Sequence, residues 1–130
     1  VTIINDVYNA SVDSMKSSLE ILKNKEGKRK IAVLGDMLEL GSFSQSLHEE
    51  VGRAVYANKV DILVSVGNDA KYIASAAEDC GMKKENIFVF STNQDAISFL
   101  KENIQYKDTI LLKASNSMHF IEIVDALKES

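Results

Sequence analysis

Proline is missing from all 130 residues, against a usual share of roughly 5%. No physical reason for that bias is visible in the sequence. Cysteine occurs once, as Cys80, so no internal disulfide can form and nothing points to an oxidising compartment. Cys80 precedes Gly81 near an expected helix end, where a buried structural thiol is commoner than a nucleophile. No apolar run is long enough to cross a bilayer, and no charged-then-apolar leader opens the chain. Basic residues are outnumbered, 15 Lys and Arg against 19 Asp and Glu, for a net charge of -4. Without a basic patch interleaved with aromatics, that balance argues against a nucleic-acid surface. The expectation is a soluble cytoplasmic domain with neither nucleic acid nor membrane as partner.

Several chemical motifs are missing as well. No Gly-x-x-x-x-Gly-Lys-Ser/Thr loop occurs, so this segment cannot by itself cradle a triphosphate in the usual way. No Gly-x-Gly-x-x-Gly occurs, which argues against a dinucleotide site. No Cys/His cluster has zinc spacing, and no Ser-His-Asp arrangement is readable. The sequence therefore offers no metal ligands and no catalytic residue of its own.

What is present is organised around Lys30 to Gly41 (KIAVLGDMLELG). An apolar run that stops at Gly35-Asp36 reads as a buried strand of a parallel sheet. Similar runs stand at Val1 to Ile4, Val60 to Val66, Ile87 to Phe90 and Thr109 to Leu112. Between them lie helical spacings: Met15, Leu19 and Leu22 after a cap at Ser11 or Asp13; Leu47, Val51, Ala54 and Val55 after a cap at Ser44. Ile73, Ala76 and Ala77, then Ala96, Ile97 and Leu100, then Phe120, Ile123, Val124 and Leu127 complete the series. Gly27 and Gly81 read as helix-end signals. Strands alternating with helices predict an α/β/α three-layer, Rossmann-like sandwich on a mostly parallel sheet of about five to six strands. A strand that begins at Val1, with no initiator methionine, suggests residues 1–130 are one domain cut from a longer chain.

In such a sheet the carboxyl ends of the strands share one edge, where open α/β sheets bind ligands. That edge gathers Asn5 to Asn9, Gly35 to Glu39, Gly67 to Asp69, Ser91 to Asn93 and Lys113 to Asn116. Asp6 can accept hydrogen bonds from the hydroxyls of a ribose, or merely satisfy a turn; the bare sequence favours the turn. Tyr8 can lie on a purine ring or pack at a strand end, and Asn9 can meet a ligand or turn the chain. Asp36 and Glu39 can hold a cationic amine or position a metal-bound water; otherwise they rim a solvated loop. Lys113 can pair with a phosphate or carboxylate, or stand in water. His48 and His119 are, as single histidines, more often surface or packing residues than ligands.

Three segments carry a resemblance. Asp6 to Met15 (DVYNASVDSM) resembles a motif of the Mur ligases, in the branch that adds D-alanyl-D-alanine. Ile31 to Gly41 (IAVLGDMLELG), followed by Leu47-His48 and Val51-Gly52, is similar almost letter for letter. Leu111 to Met118 (LLKASNSM) resembles a third, in degraded form. The resemblance covers essentially the whole chain and falls on the C-terminal domain of those enzymes. It implies a three-domain ligase of peptidoglycan synthesis. An N-terminal domain binds the UDP-N-acetylmuramoyl-tripeptide, and a central one carries the ATP phosphate loop and Mg2+. The third domain closes over ATP and D-alanyl-D-alanine. The tripeptide carboxylate becomes an acyl phosphate, which the dipeptide amine attacks. By position, Asp6 would meet the ATP ribose, with Tyr8 and Asn9 near the nucleotide. Asp36, Glu39, Lys113 and Ser115 would lie where D-alanyl-D-alanine docks. The 130-residue segment alone is expected to be inactive.

The chain departs from that pattern in two places. Ser11-Val12 stands where the family has Asn-Pro, which leaves a less rigid turn. Ala114, Asn116 and Ser117 stand where it has Gly, Arg and Gly, and losing the arginine removes a bidentate carboxylate clamp. Two other readings compete. In a phosphoacceptor receiver domain, Asn5-Asp6, Asp69, Ser91-Thr92 and Lys113 would form the acidic pocket and its partners. The other is a non-catalytic nucleotide-binding module of the same fold.

Overall fold

The computed structural model describes residues 1–7 and 10–129. Five strands form one sheet: β1 (Thr2–Asp6), β2 (Arg29–Gly35), β3 (Ile62–Val66), β4 (Ile87–Phe90) and β5 (Asp108–Lys113). Every pairing is parallel, and the order across the sheet is β1-β5-β2-β3-β4. The helices are α1 (Val12–Asn24), α2 (Ser44–Ala57), α3 (Ala70–Cys80), α4 (Asn93–Asn103) and α5 (Ile121–Lys128). The expected architecture is met, with the helices in two layers. Leu19, Val51 and Ile73 bring α1, α2 and α3 onto the face that carries Leu34, Leu63 and Leu111. Ala96, Leu100, Ile123 and Leu127 bring α4 and α5 onto the face of Val33, Val64 and Leu112. The central strands β2, β3 and β5 are covered on both faces, which is why they read as apolar runs rather than alternations.

Local chemistry sets the helix starts. Ser11 caps α1 reciprocally with Ser14: the Ser11 hydroxyl accepts the Ser14 N–H at 3.2 Å, and the Ser14 hydroxyl accepts the Ser11 N–H at 2.9 Å. Thr92 caps α4 by accepting the Asp95 N–H. Ser44, read from the sequence as a cap, is instead the first residue of α2, and its hydroxyl is used elsewhere. The α1 C-cap is Lys25 rather than Gly27, whereas Gly81 ends α3 with φ of 125° as expected. Cys80 is exposed, not buried; it is the last residue of α3, whose inward positions are taken by Ile73, Ala74, Ala76 and Ala77.

The sheet's amino edge is tied by Arg29. Its Nε and Nη2 donate to the two oxygens of Asp108 at 2.9 and 2.7 Å, joining β2 to β5. Asp108 is 1% exposed. Burial pushes its carboxyl up. The Arg29 hydrogen bond, the Gln105 N–H and the guanidinium charge outweigh that and hold it below the usual carboxylate range.

Helices α2 and α3 approach closely because Gly52 has no side chain. A Cβ there would stand 2.3 Å from the Ile73 carbonyl oxygen and 2.7 Å from the Ala76 Cβ. Gly52→Ala should therefore destabilise the fold by about 1–3 kcal/mol, despite alanine's better helix propensity. Urea unfolding would check this; equal or greater stability would mean that α2 and α3 separate without cost.

Candidate functional site

Sheet order decides what meets at the carboxyl edge. β5 lies between β1 and β2. The chain leaves β1 and β2 toward the face of α1, α2 and α3, and leaves β5 toward the face of α5. Loops that part to opposite faces open a crevice between neighbouring strand ends. The end of β5 is thus flanked by two crevices, and the candidate residues divide between them.

The first crevice holds Asp6 and Lys113. Asp6 is the last residue of β1 rather than part of a loop, and it pairs in register with Lys113, the last of β5. Lys113 is 2% exposed, and its Nζ donates to Asp6 Oδ2 at 2.6 Å. Ser18 of α1 donates to the same oxygen at 2.8 Å. The Asp6 side chain is 43% exposed, and Oδ1 has no hydrogen-bond partner among the described residues. Oδ2 of the carboxylate is therefore anchored twice. Burial pushes the Asp6 carboxyl up, but hydrogen bonds from Lys113 and Ser18 and the lysine's charge pull it further down. Tyr8 and Asn9 lie outside the described residues.

The second crevice holds the loop after β2. Asp36 does not rim a solvated loop: it is 7% exposed. Its Oδ1 accepts the N–H groups of Asp69 and Ala70 at 2.9 and 2.7 Å, at the start of α3. A carboxylate there satisfies orphan donors and the helix dipole. Gly67, with φ of 123°, makes room; a Cβ would fall 2.6 Å from the Asp36 carboxylate. Two further bonds cross from the loop to Ser115: its N–H donates to the Asp36 carbonyl at 3.0 Å, and its Oγ accepts the Leu38 N–H at 2.9 Å. Ser115 and the loop thus stand together, as grouped from the sequence.

Lys113 leaves that group, because its ammonium is buried against Asp6. Glu39 is exposed and adopts φ of 64°. A non-glycine residue in the left-handed region costs about 1 kcal/mol and persists only where its surroundings enforce it.

Sequence reasoning passed over His48. It is fully buried, and its Nε2 accepts the Met37 N–H at 3.0 Å. A backbone N–H can only donate, so Nε2 is bare and the ring proton sits on Nδ1. Nδ1 in turn lies 2.7 Å from the Ser44 carbonyl oxygen. The Ser44 hydroxyl donates to Asp69 Oδ2 at 2.7 Å. The available signal was a histidine four residues after a serine at a helix start, close behind an acidic loop. His119 is exposed with φ of 56°.

Two hollows lie away from this edge. One of about 530 Å3 is lined by Tyr56, Val60, Met82 and Lys83. Another of about 430 Å3 lies among Thr2, Gly27, Lys28 and Lys107. Both open at the sheet's amino edge.

The strand order removes the receiver reading. Such domains place β1 centrally, in the order 2-1-3-4-5. Here β1 is an edge strand, with β5 and β2 between Asp6 and the β3 end that carries Asp69. The fold is that of a Rossmann-like, all-parallel α/β/α domain. A sequence model described as Mur ligase, glutamate ligase domain, matches residues 1–116, and the chain belongs to the Mur ligase family.

The UDP-N-acetylmuramoyl-tripeptide--D-alanyl-D-alanine ligase of Bacillus subtilis is 38% identical over 131 residues, covering 100% of this chain and 28% of the relative. A MurF crystal structure from Acinetobacter baumannii superposes with a TM-score of 0.86 at 29% identity, over 98% of this chain and 28% of that one. The Thermotoga maritima MurF ligase in complex with ADP gives 0.79 at 27% identity, with the same two coverages of 98% and 28%. The chain therefore spans little more than a quarter of the length of the relatives it matches.

Acid should weaken this domain in a defined direction. Asp6 and Asp108 are both held below the ordinary carboxylate value near 3.8. The folded state therefore binds fewer protons than the unfolded one around that pH. Their stabilisation is present above about pH 4 and is lost as pH falls through the lowered folded values. Denaturation midpoints measured from neutral to acid pH should fall in that window, and Asp108→Asn should flatten the fall. A wild-type midpoint independent of pH there would contradict the two ion pairs.

Proposed function

We propose that this segment is the closing domain of an ATP-dependent ligase that adds D-alanyl-D-alanine to UDP-N-acetylmuramoyl-tripeptide in peptidoglycan synthesis. The observation that carries the reading is the Asp6–Lys113 pair, which anchors Oδ2 of a carboxylate whose side chain is 43% exposed and leaves Oδ1 without a partner among the described residues. That oxygen suits the hydroxyls of the ATP ribose, with Tyr8 and Asn9 nearby on the strength of the motif alone. Glu39 and Ser115 line the side where the dipeptide docks. Asp36 serves that side by fixing the loop, since its own Oδ1 is taken by α3. Asn116 stands here in place of the arginine clamp of the family pattern, so either another group holds the dipeptide carboxylate or the amine substrate differs.

In this reading the missing N-terminal and central domains supply the tripeptide site, the phosphate cradle and Mg2+. This chain closes over them. Closure matters because water in the cleft would hydrolyse an acyl phosphate before the amine reached it. It also brings the amine and the acyl group into line. The enzyme would work in the cytoplasm, where ATP is available. The retained similarity to D-alanyl-D-alanine ligases favours this over a non-catalytic nucleotide-binding module.

Two measurements test the proposal. Asp6→Ala in the full-length enzyme should weaken ATP binding by about 1–3 kcal/mol, the range for a hydrogen bond to a charged group. A thermal melt would show that the variant is folded. Unchanged ATP affinity would reduce Asp6 to a partner of Lys113. The purified 130-residue segment should neither hydrolyse ATP nor form an amide bond; measured turnover would refute its role as a wall of a larger site.

A further inference from the structure

We infer that His48 is a positioning residue for the incoming amine, acting through the backbone of the loop after β2. The inference rests on the reading that this loop lines the amine side of the cleft. Three independent ties hold the loop. Asp36 is fixed by the first N–H groups of α3. Leu38 is fixed by the Ser115 hydroxyl. Met37, between them, is fixed by His48 Nε2 in a fully buried bond. Immediately beyond stands Glu39, exposed and left-handed. A conformation that its own sterics oppose is kept only where neighbouring residues leave no alternative. The ties on Asp36, Met37 and Leu38 supply that constraint on three consecutive residues.

Of the three, only the His48 tie runs to α2. The Nδ1 bond to the Ser44 carbonyl sets the ring's orientation and tautomer, and the Ser44 hydroxyl links onward to Asp69 at the start of α3. His48 therefore couples the loop to both helices beneath it. It touches no reacting atom; its role is to aim Glu39, whose carboxylate suits the ammonium of an arriving dipeptide.

The test uses the full-length enzyme and steady-state kinetics with D-alanyl-D-alanine and ATP varied separately. His48→Leu removes the acceptor for the Met37 N–H. It should raise KM for the dipeptide about tenfold, the scale of one lost buried hydrogen bond and a freed loop, while KM for ATP changes less than about twofold. His48→Gln should restore the dipeptide KM, because its side-chain carbonyl reaches the position of Nε2. His48→Asn reaches only the Nδ1 position and should not. If the leucine variant fails to fold, the Gln and Asn pair carries the comparison by itself.

Equal dipeptide KM values for wild type, Gln and Asn, with Glu39→Gln raising that KM, would overturn the role of His48 and leave the loop as the amine side. If Glu39→Gln and the His48 variants all leave the dipeptide KM unchanged, the amine-side reading itself falls, and this inference with it. A KM rise for both substrates that Gln does not rescue would show a merely structural histidine and would also overturn the inference.

Discussion

A lysine ammonium at 2% exposure is tolerated only where a counter-charge and hydrogen bonding replace water. Lys113 meets that condition through Asp6, and the first crevice of the carboxyl edge is built on it. The pair joins the last residue of the edge strand β1 to the last residue of β5. It thereby sets the height at which both strands end. Removing Asp6 would leave the buried Lys113 ammonium without its counter-charge, which is far more costly than losing an exposed ion pair. The same contact holds a carboxylate whose side chain stays 43% exposed.

The neighbouring crevice is built on a different device. There, beside the bonds of the Asp36 carboxylate to α3, the loop after β2 is held by bonds to its own backbone: Ser115 to the Asp36 carbonyl and the Leu38 N–H, and His48 to the Met37 N–H. Backbone tethers leave the side chains of Leu38 and Glu39 exposed. Under the proposed closure against other domains such rigidity helps, since ordering a mobile loop during closure would cost binding free energy. Asp36 shows why an acidic residue at a strand end cannot be assumed to face a ligand. The start of α3 is close enough to take its Oδ1 first.

Much of this was legible early. Apolar runs bounded by glycine located β2, and helical spacing located the buried faces of α1 to α5, because those patterns reflect local geometry and burial. The clustering of polar loops on one edge followed from parallel strands. The partition of those loops did not. Lys113 was grouped with Asp36 and Ser115 since all precede or follow neighbouring sheet ends, whereas its bond runs to Asp6. His48 was set aside as a single histidine, and nothing in its local sequence revealed that a backbone N–H on another element would reach its ring. Ser44 looked like a cap because serine at a helix start usually is one; its hydroxyl instead found Asp69.

The sequence by itself determined the α/β alternation, the buried faces, the edge on which ligands would be met and, through three motifs, the Mur ligase family. Those features are written in periods of two to four residues and in contiguous strings. Only the tertiary structure decided that β1 lies outside β5. That order brings Asp6 to Lys113 across 107 residues of chain. Contacts between distant segments depend on strand order, and strand order is a property of the assembled sheet that no local pattern encodes.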